Sequence, residues 1–169
     1  MQIYVACLAS YNQGLLHGSW IEPTSDVEEL TAEVAKVIDT SPAEGAEEHA
    51  IHDYDCFPDL GEYPSLQDIC DFVEMVEVSD FDAGIVSAVV DEFPNDKGKA
   101  QHVLDENHGI HDNFQAYADE FADEMMACHN CGDGEWIKEY FDYGKHADAL
   151  SYDYIQIEVK GGVLIAFNQ

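Results

Sequence analysis

The most constraining feature of this 169-residue chain is its charge imbalance. Thirty-six aspartates and glutamates are accompanied by only six lysines and no arginine, so the formal net charge is -30. A compact fold must hold these charges against their mutual repulsion. The chain is nevertheless 46% hydrophobic and 11% aromatic, which is unlike a disordered acidic tail and predicts a folded protein.

The acids are spread evenly along the chain, with twelve in residues 1–60, eleven in 61–105 and thirteen in 106–169. This spread favours a long charged surface over a single cation pocket. Duplex DNA carries one negative charge per 1.7 Å, so thirty charges correspond to about 50 Å of duplex. The chain therefore resembles a polyanion, and we expect neither a nucleic acid nor an anionic membrane as its direct partner.

The sequence contains no motif of a known catalytic centre. It lacks a glycine-rich phosphate loop, a nucleophile elbow, a zinc-protease helix and a dinucleotide fingerprint. Anionic transition states are usually stabilised by arginine or lysine, and arginine is absent. We therefore expect no enzyme, no catalytic residue and no cofactor.

Two patterns could suggest metal binding, but neither is complete. Cys128 and Cys131 have the spacing of half a zinc site, and His108 and His111 are the only nearby candidate pair. The Asp-x-Asp pair that begins at Asp53 lacks the glycine and the glutamate that an EF-hand loop requires. We predict no metal site.

Five irregularly spaced cysteines are more typical of a reducing compartment than of a disulfide framework. The N-terminus has no basic leader, and no apolar run approaches the length of a membrane span. These features predict a cytoplasmic protein.

In the first sixty residues, the β-rich runs Ile3–Ala9 and His17–Ile21 predict a hairpin across a turn-prone segment. Ser25 and Glu28 form a capping-box pattern that predicts the start of an amphipathic helix. His49–Asp55 is predicted to be a third strand.

The middle of the chain predicts helices. Ser65 with Asp68 indicates one helix start, Ser79 with Asp82 indicates another, and a short polar helix follows around Lys99–Glu106. The second of these helices is rich in valine, so a strand there remains an alternative.

In the last third, an apolar stripe from Phe114 to Met125 predicts an amphipathic helix. Shorter helices are predicted over Glu135–Phe141 and Lys145–Leu150. Tyr152–Lys160 and Val163–Phe167 predict a terminal hairpin that turns at two glycines.

Together these elements predict an α+β fold, built as an elongated chain of three small domains. Residues 1–60 would form an N-terminal α+β domain with a small antiparallel sheet and one helix. Residues 61–105 would form a central helical domain, and residues 106–169 a C-terminal α+β domain with helices and a β-hairpin. Small domains bury a poor fraction of their surface, so this build favours dimerisation.

Three segments, Ile3–Glu22, Ala50–Phe72 and Tyr140–Phe167, resemble the ArdA antirestriction proteins in sequence and in order. The resemblance implies a DNA mimic carried by mobile genetic elements. Such a protein occupies the DNA-binding groove of type I restriction-modification enzymes, formed by their specificity and methyltransferase subunits. It also implies an elongated homodimer that associates through its C-terminal domain.

By this resemblance, the dimer interface would lie around Tyr140 to Tyr154. The family usually has an arginine near Asp148, where this chain reads Lys145 to Leu150 without one. The predicted interface residues are Tyr140, Phe141, Tyr143, Leu150, Tyr152 and Tyr154.

The polar faces of the predicted helices, with their flanking segments, supply the acids most suited to stand in for phosphates. We call this set the mimic acids. They are Glu22, Asp26, Glu28, Glu29, Glu33, Glu62, Asp68, Asp71, Glu74, Glu77, Asp119, Glu120, Asp123 and Glu124.

Two other functions are compatible with the same composition. The acids could hydrate the surface of an unrelated halophilic protein, which would then unfold in dilute buffer. They could also form a cation-binding module, which calorimetry with calcium or zinc would reveal as a saturable heat.

Overall fold

The computed structural model describes residues 1–128 and 135–168, and the side chains of all of these except 135 and 136. They divide into two compact units, Met1–Pro94 and Asn95–Gln169. Each unit combines helices with a three-stranded antiparallel sheet, which confirms the predicted α+β class. Residues 95–105, grouped with the central helices by the sequence, belong to the second unit, and the three-domain division stays a prediction.

The sheet of the first unit is built around a central strand, β1 (Gln2–Cys7). Its neighbours are β2 (Gly18–Ile21) and β3 (His49–Asp55), both antiparallel to it. The predicted hairpin and third strand are thus confirmed. The connection differs from prediction, because the short helix α1 (Leu8–Asn12) forms before the turn.

Helix α2 (Val27–Asp39) packs its apolar face into the first unit, with Leu30 almost fully buried. The predicted capping box was wrong by one residue. Asp26 is the N-cap, and its carboxylate accepts hydrogen bonds from two N–H groups of the first turn, at 2.8 and 3.2 Å. Ser25 instead donates its hydroxyl to the Glu77 carboxylate at 2.8 Å.

The two central helices are α3 (Leu66–Val78) and α4 (Ala83–Glu92). Ser65 caps α3 as predicted, accepting from the Asp68 N–H at 3.1 Å. Asp82 caps α4, whose valine-rich segment is helical, so the strand alternative is wrong. Its β-branched side chains pack inside the unit, which outweighs their modest helix propensity.

The sheet of the second unit has the order β4-β6-β5. Strands β5 (Tyr154–Val159) and β6 (Gly162–Phe167) form the predicted terminal hairpin. Strand β4 (Asn107–His111) was not predicted, because asparagine, histidine and glycine rarely favour strands. It forms because β6 supplies its hydrogen-bonding partner.

The helices of this unit are α5 (Lys97–Asp105), α6 (Phe114–Cys128), α7 (Glu135–Lys138) and α8 (Tyr143–Leu150). Asp96 caps α5 and Asp142 caps α8, each accepting from a first-turn N–H. The predicted stripe of α6 is buried at Tyr117 but 45% exposed at Met125. No helix in the described ranges is both long and apolar enough to cross a membrane.

Candidate functional site

The carboxylates of the residues that the structure describes lie at or near the protein surface. Among the described residues, and apart from tyrosines, the buried polar side chains are Ser10 and Ser87, and no acid is fully buried. Burying a charge without a partner costs several kcal/mol or more, roughly enough to offset a small domain's stability. The fold therefore leaves the repulsion at the surface, where water and salt screen it.

All the mimic acids are at least partly accessible. Nine are exposed: Glu22, Asp26, Glu28, Glu29, Glu62, Glu74, Glu77, Glu120 and Glu124. Five are half-buried: Glu33, Asp68, Asp71, Asp119 and Asp123. The exposures agree with their assignment to polar helix faces, and their role in mimicry stays a prediction.

Several mimic acids accept hydrogen bonds from neutral groups. Gln67 donates to Asp71 at 2.8 Å, and Gln115 donates to Asp119 at 2.6 Å. A neutral donor orients the carboxylate without cancelling its charge. These acids are therefore held in place while remaining negative.

Lysines compensate only a few of the acids. Lys36 pairs with Glu33 and Lys145 pairs with Asp142, each one helical turn apart on an exposed surface. Lys145 also holds the pKa of Asp142 below its usual range. Such local exposed pairs contribute little stability, and they leave the net charge strongly negative.

Asp123 is engaged in the fold through both of its carboxylate oxygens. The Lys138 ammonium donates to one carboxylate oxygen at 2.7 Å, and the Tyr143 hydroxyl donates to the other at 2.6 Å. Lys138 first, and then Tyr143, hold the pKa of Asp123 below its usual range. Because its charge is compensated here, Asp123 resembles a free phosphate less than its neighbours do.

The predicted dimer residues divide into surface and core. Tyr140 and Tyr152 are each 83% exposed and can offer their rings to a second protein. Tyr154 is only 6% exposed and packs with Tyr117 and Ile165 in the core of the second unit.

The remaining three predicted interface residues are half-buried. Leu150 packs against the same core cluster, and Phe141 and Tyr143 contact each other edge to face. Dimerisation through this segment stays a prediction.

The described residues contain no group of three or more His, Cys, Asp or Glu side chains arranged to hold a metal ion. Cys7, Cys56, Cys70 and Cys128 are free thiols. The rest of the Cys-x-x-Cys pattern, residues 129–131, lies outside the described residues.

An acidic groove in the first unit was missed by the sequence reasoning. It has a volume of about 780 Å³, and Asp59 and Asp91 line it together with the Tyr54 ring. Burial, followed by the charge of Asp59, raises the pKa of Asp91, although two hydrogen bonds oppose the shift. Burial and Asp59 also raise the pKa of Tyr54 to about 12. No sequence spacing links residues 59 and 91, which only the fold brings together.

The fold and surface together define a class of protein: a small, strongly acidic α+β protein whose described acids are not buried. Residues 3–164 match the family model of the antirestriction protein ArdA, so the chain belongs to this family. A comparison with curated proteins found no match. Family membership implies an antirestriction role, directed in general against restriction-modification enzymes.

Proposed function

We propose that this protein inhibits type I restriction-modification enzymes by occupying the DNA-binding groove of their specificity and methyltransferase subunits. The observation that carries the proposal is a net charge of -30 with no fully buried acid among the described residues. In the complex, the mimic acids would take the places of DNA phosphates.

The mechanism follows from how such enzymes gain affinity for DNA. Lysine and arginine in a DNA-binding groove neutralise phosphates and release counterions. Carboxylates at similar density release the same kind of counterions and give the same long-range attraction. The protein offers no bases and no phosphodiester, so it blocks the groove as a competitor and is not cleaved.

Inhibition should extend to enzymes with different recognition sequences. Phosphate contacts position a protein on DNA, whereas base edges specify the sequence. An inhibitor that imitates only the phosphates therefore acts without regard to the recognition sequence.

A homodimer through the Tyr140 to Tyr154 segment would double the available charge. The two highly exposed rings, Tyr140 and Tyr152, support an interface there, because exposed aromatic side chains are common anchors of protein contacts. The place of action would be the cytoplasm, with neither nucleic acid nor membrane as a direct partner.

A competition assay tests the proposal. A purified type I methyltransferase holds a fluorescent duplex, and this protein is titrated in at low salt. We expect displacement of the duplex, and we expect it to weaken as salt rises.

Polyglutamate at equal charge concentration is the control, because it carries the same charge without a fold. If the protein displaces no DNA, or no more than polyglutamate does, scaffolded mimicry is wrong.

A further inference from the structure

Strand β4 and helix α6 enclose a pocket of about 300 Å³ in the second unit, here called the β4–α6 pocket. Its size is that of a small binding cleft. Aromatic rings form part of its wall, which distinguishes it from a patch of acids alone. It is lined by His108, His111, Tyr117, Glu120, Phe121 and Glu124.

Two of the lining residues carry buried polar atoms without hydrogen-bond partners: the Tyr117 hydroxyl and the His108 Nε2. Tyr117 as a whole is only 6% exposed. Its pKa is raised mainly by burial and then by the neighbouring Tyr154 hydroxyl. Buried polar atoms are nearly always paired, so two unpaired atoms in residues that line the same pocket point to a missing partner.

These groups share one chemical property, the capacity to accept hydrogen bonds. A neutral His108 with its proton on Nδ1 offers Nε2 as an acceptor, and the Tyr117 oxygen has free lone pairs. Glu120 and Glu124 add carboxylates at the exposed rim, where the Glu120 side chain is 70% exposed. The complementary ligand carries several donors and a positive charge.

His111 does not occupy the acceptors of this pocket when its ring is neutral. Its Nε2 lies 3.0 Å from the His108 carbonyl oxygen and donates to it, while its Nδ1 lies 3.5 Å from a Glu120 oxygen. When His111 is neutral, Nδ1 presents a lone pair and cannot donate to Glu120. The Glu120 carboxylate, which is 70% exposed, then accepts from water and can accept from a ligand in its place.

We propose that the β4–α6 pocket receives an arginine side chain of the partner protein. A guanidinium has five N–H donors, no acceptor and a flat face that stacks on aromatic rings such as Phe121 and Tyr117. The chain contains no arginine, so neither the same chain nor a second copy can supply this group. The assignment of the donor to the restriction enzyme rests on the proposed function.

This pocket would act differently from the remaining acidic surface. An exposed carboxylate meeting a lysine forms a screened pair of small value. An arginine inserted between aromatic rings and buried acceptors is instead the type of contact that dominates protein interfaces. Binding would combine a diffuse field with one anchored contact.

The direct test is a nuclear magnetic resonance titration of the whole chain with N-acetyl-argininamide at constant ionic strength. We expect saturable shifts at His108, His111 and Tyr117. N-acetyl-citrullinamide, which has the same shape without the charge, should produce no such shifts, and N-acetyl-lysinamide should bind several-fold more weakly. Failure to saturate, equal binding of the lysine compound, or shifts spread over all acids would overturn the proposal.

Tyr117→Phe removes the hydroxyl and keeps the ring. We expect argininamide affinity to fall about fivefold, as for one lost hydrogen bond. The melting temperature should not fall, because the hydroxyl is unpaired in the free protein. Unchanged affinity would contradict the role of Tyr117.

Glu124→Gln should also weaken argininamide binding, whereas Glu28→Gln in the first unit loses the same charge far from the pocket in sequence and should not. Equal losses of argininamide affinity in the two variants would mean that net charge alone causes the effect, and they would overturn the pocket proposal.

Free arginine distinguishes the two possible sources of the guanidinium, an arginine side chain of a protein and a small molecule. Its own carboxylate is repelled by the protein, so it should bind more weakly than the amide. If free arginine binds as tightly or more tightly, the ligand is a small molecule and the partner assignment is wrong. If the protein displaces DNA from the enzyme but does not bind argininamide, the pocket proposal fails while DNA mimicry stands.

Discussion

At the scale of single residues, Asp123 stabilises the fold more than it adds to the negative charge of the surface. Its carboxylate joins α6 to Lys138 of α7 and to Tyr143 of α8. The sequence suggested a solvent-facing acid because it shows spacing within a helix but not partners fifteen and twenty residues away. Compensated acids of this kind can be recognised only once the helices are packed.

Asp123→Asn should therefore destabilise the protein although it removes a negative charge. The asparagine cannot replace the charged bond to Lys138. Thermal denaturation at neutral pH should show a lower melting temperature for Asp123→Asn. Glu124→Gln, an exposed acid with the same loss of charge, should leave it unchanged or raise it.

The difference between Asp123→Asn and the original protein should depend on pH. The pKa of Asp123 is lowered in the fold, so its contribution is complete above the unfolded aspartate pKa. It is lost as pH falls through the lower, folded pKa. A difference that stays constant down to strongly acidic pH would contradict this origin.

Asp91 should behave in the opposite way. Its pKa is raised in the fold, so the folded state holds this proton more tightly than the unfolded chain. Stability is therefore lost as pH rises from the unfolded pKa through the raised one, and the loss is complete above it. Asp91→Asn should raise the free energy of unfolding at neutral pH relative to the original protein, but not at strongly acidic pH.

The neighbouring Glu92 provides a matched control for Asp91, because it lies on the same helix but does not line the acidic groove. Glu92→Gln removes the same charge without removing the carboxylate that lies near Asp59 in the groove. Equal stabilisation by the two variants in urea unfolding would assign the effect to net charge alone.

At the scale of elements, the hairpin of the second unit depends on a close backbone approach. A Cβ on Gly162 would lie 2.2 Å from the His111 carbonyl oxygen of β4, and the residue has a φ of +149°. Gly162→Ala should lower the free energy of unfolding by about 3 kcal/mol, from steric overlap and backbone strain together.

Gly161→Ala separates these two causes in the same turn. Gly161 also has a positive φ, +104°, but a Cβ there would meet nothing within 4 Å. It should cost about 1–2 kcal/mol from conformation alone. If the two variants are equally stable in chemical denaturation, the close contact with β4 adds nothing to the cost of Gly162→Ala.

The sequence predicted the elements whose local pattern agrees with their tertiary role. Strands β3 and β5 contain residues that favour strands, either clustered or at alternate positions. Helix α3 begins with a serine cap that lies three residues before an acid. Strand β4 was missed because its formation depends on pairing with β6, far along the chain. The β4–α6 pocket likewise depends on tertiary packing, and the sequence alone shows His108 and His111 only as a closely spaced pair.

At the scale of the whole molecule, inhibition should depend on many acids together. Changing Glu28, Glu29, Glu74 and Glu77 to glutamine should weaken binding to a type I enzyme more than about tenfold, whereas each single change costs little. The combined variant should also show a shallower salt dependence, because fewer counterions are released. Fluorescence competition over a range of salt measures both quantities.

A matched quadruple change of exposed acids outside the mimic set tests placement against bulk charge. Glu44, Glu47, Glu48 and Asp55 provide it, with the same loss of charge in the same unit. We expect a smaller loss of binding. Equal losses would mean that total charge, not the mimic acids, determines inhibition.

Four helices, α2, α4, α5 and α8, begin at an aspartate that caps them: Asp26, Asp82, Asp96 and Asp142. Aspartate reaches the first-turn N–H groups, whereas glutamate is not among the preferred capping residues. Over evolutionary time, most acids of this protein can drift between aspartate and glutamate without changing its field. At these four sites the length of the side chain matters as well as its charge, so descendants should retain a short polar residue there.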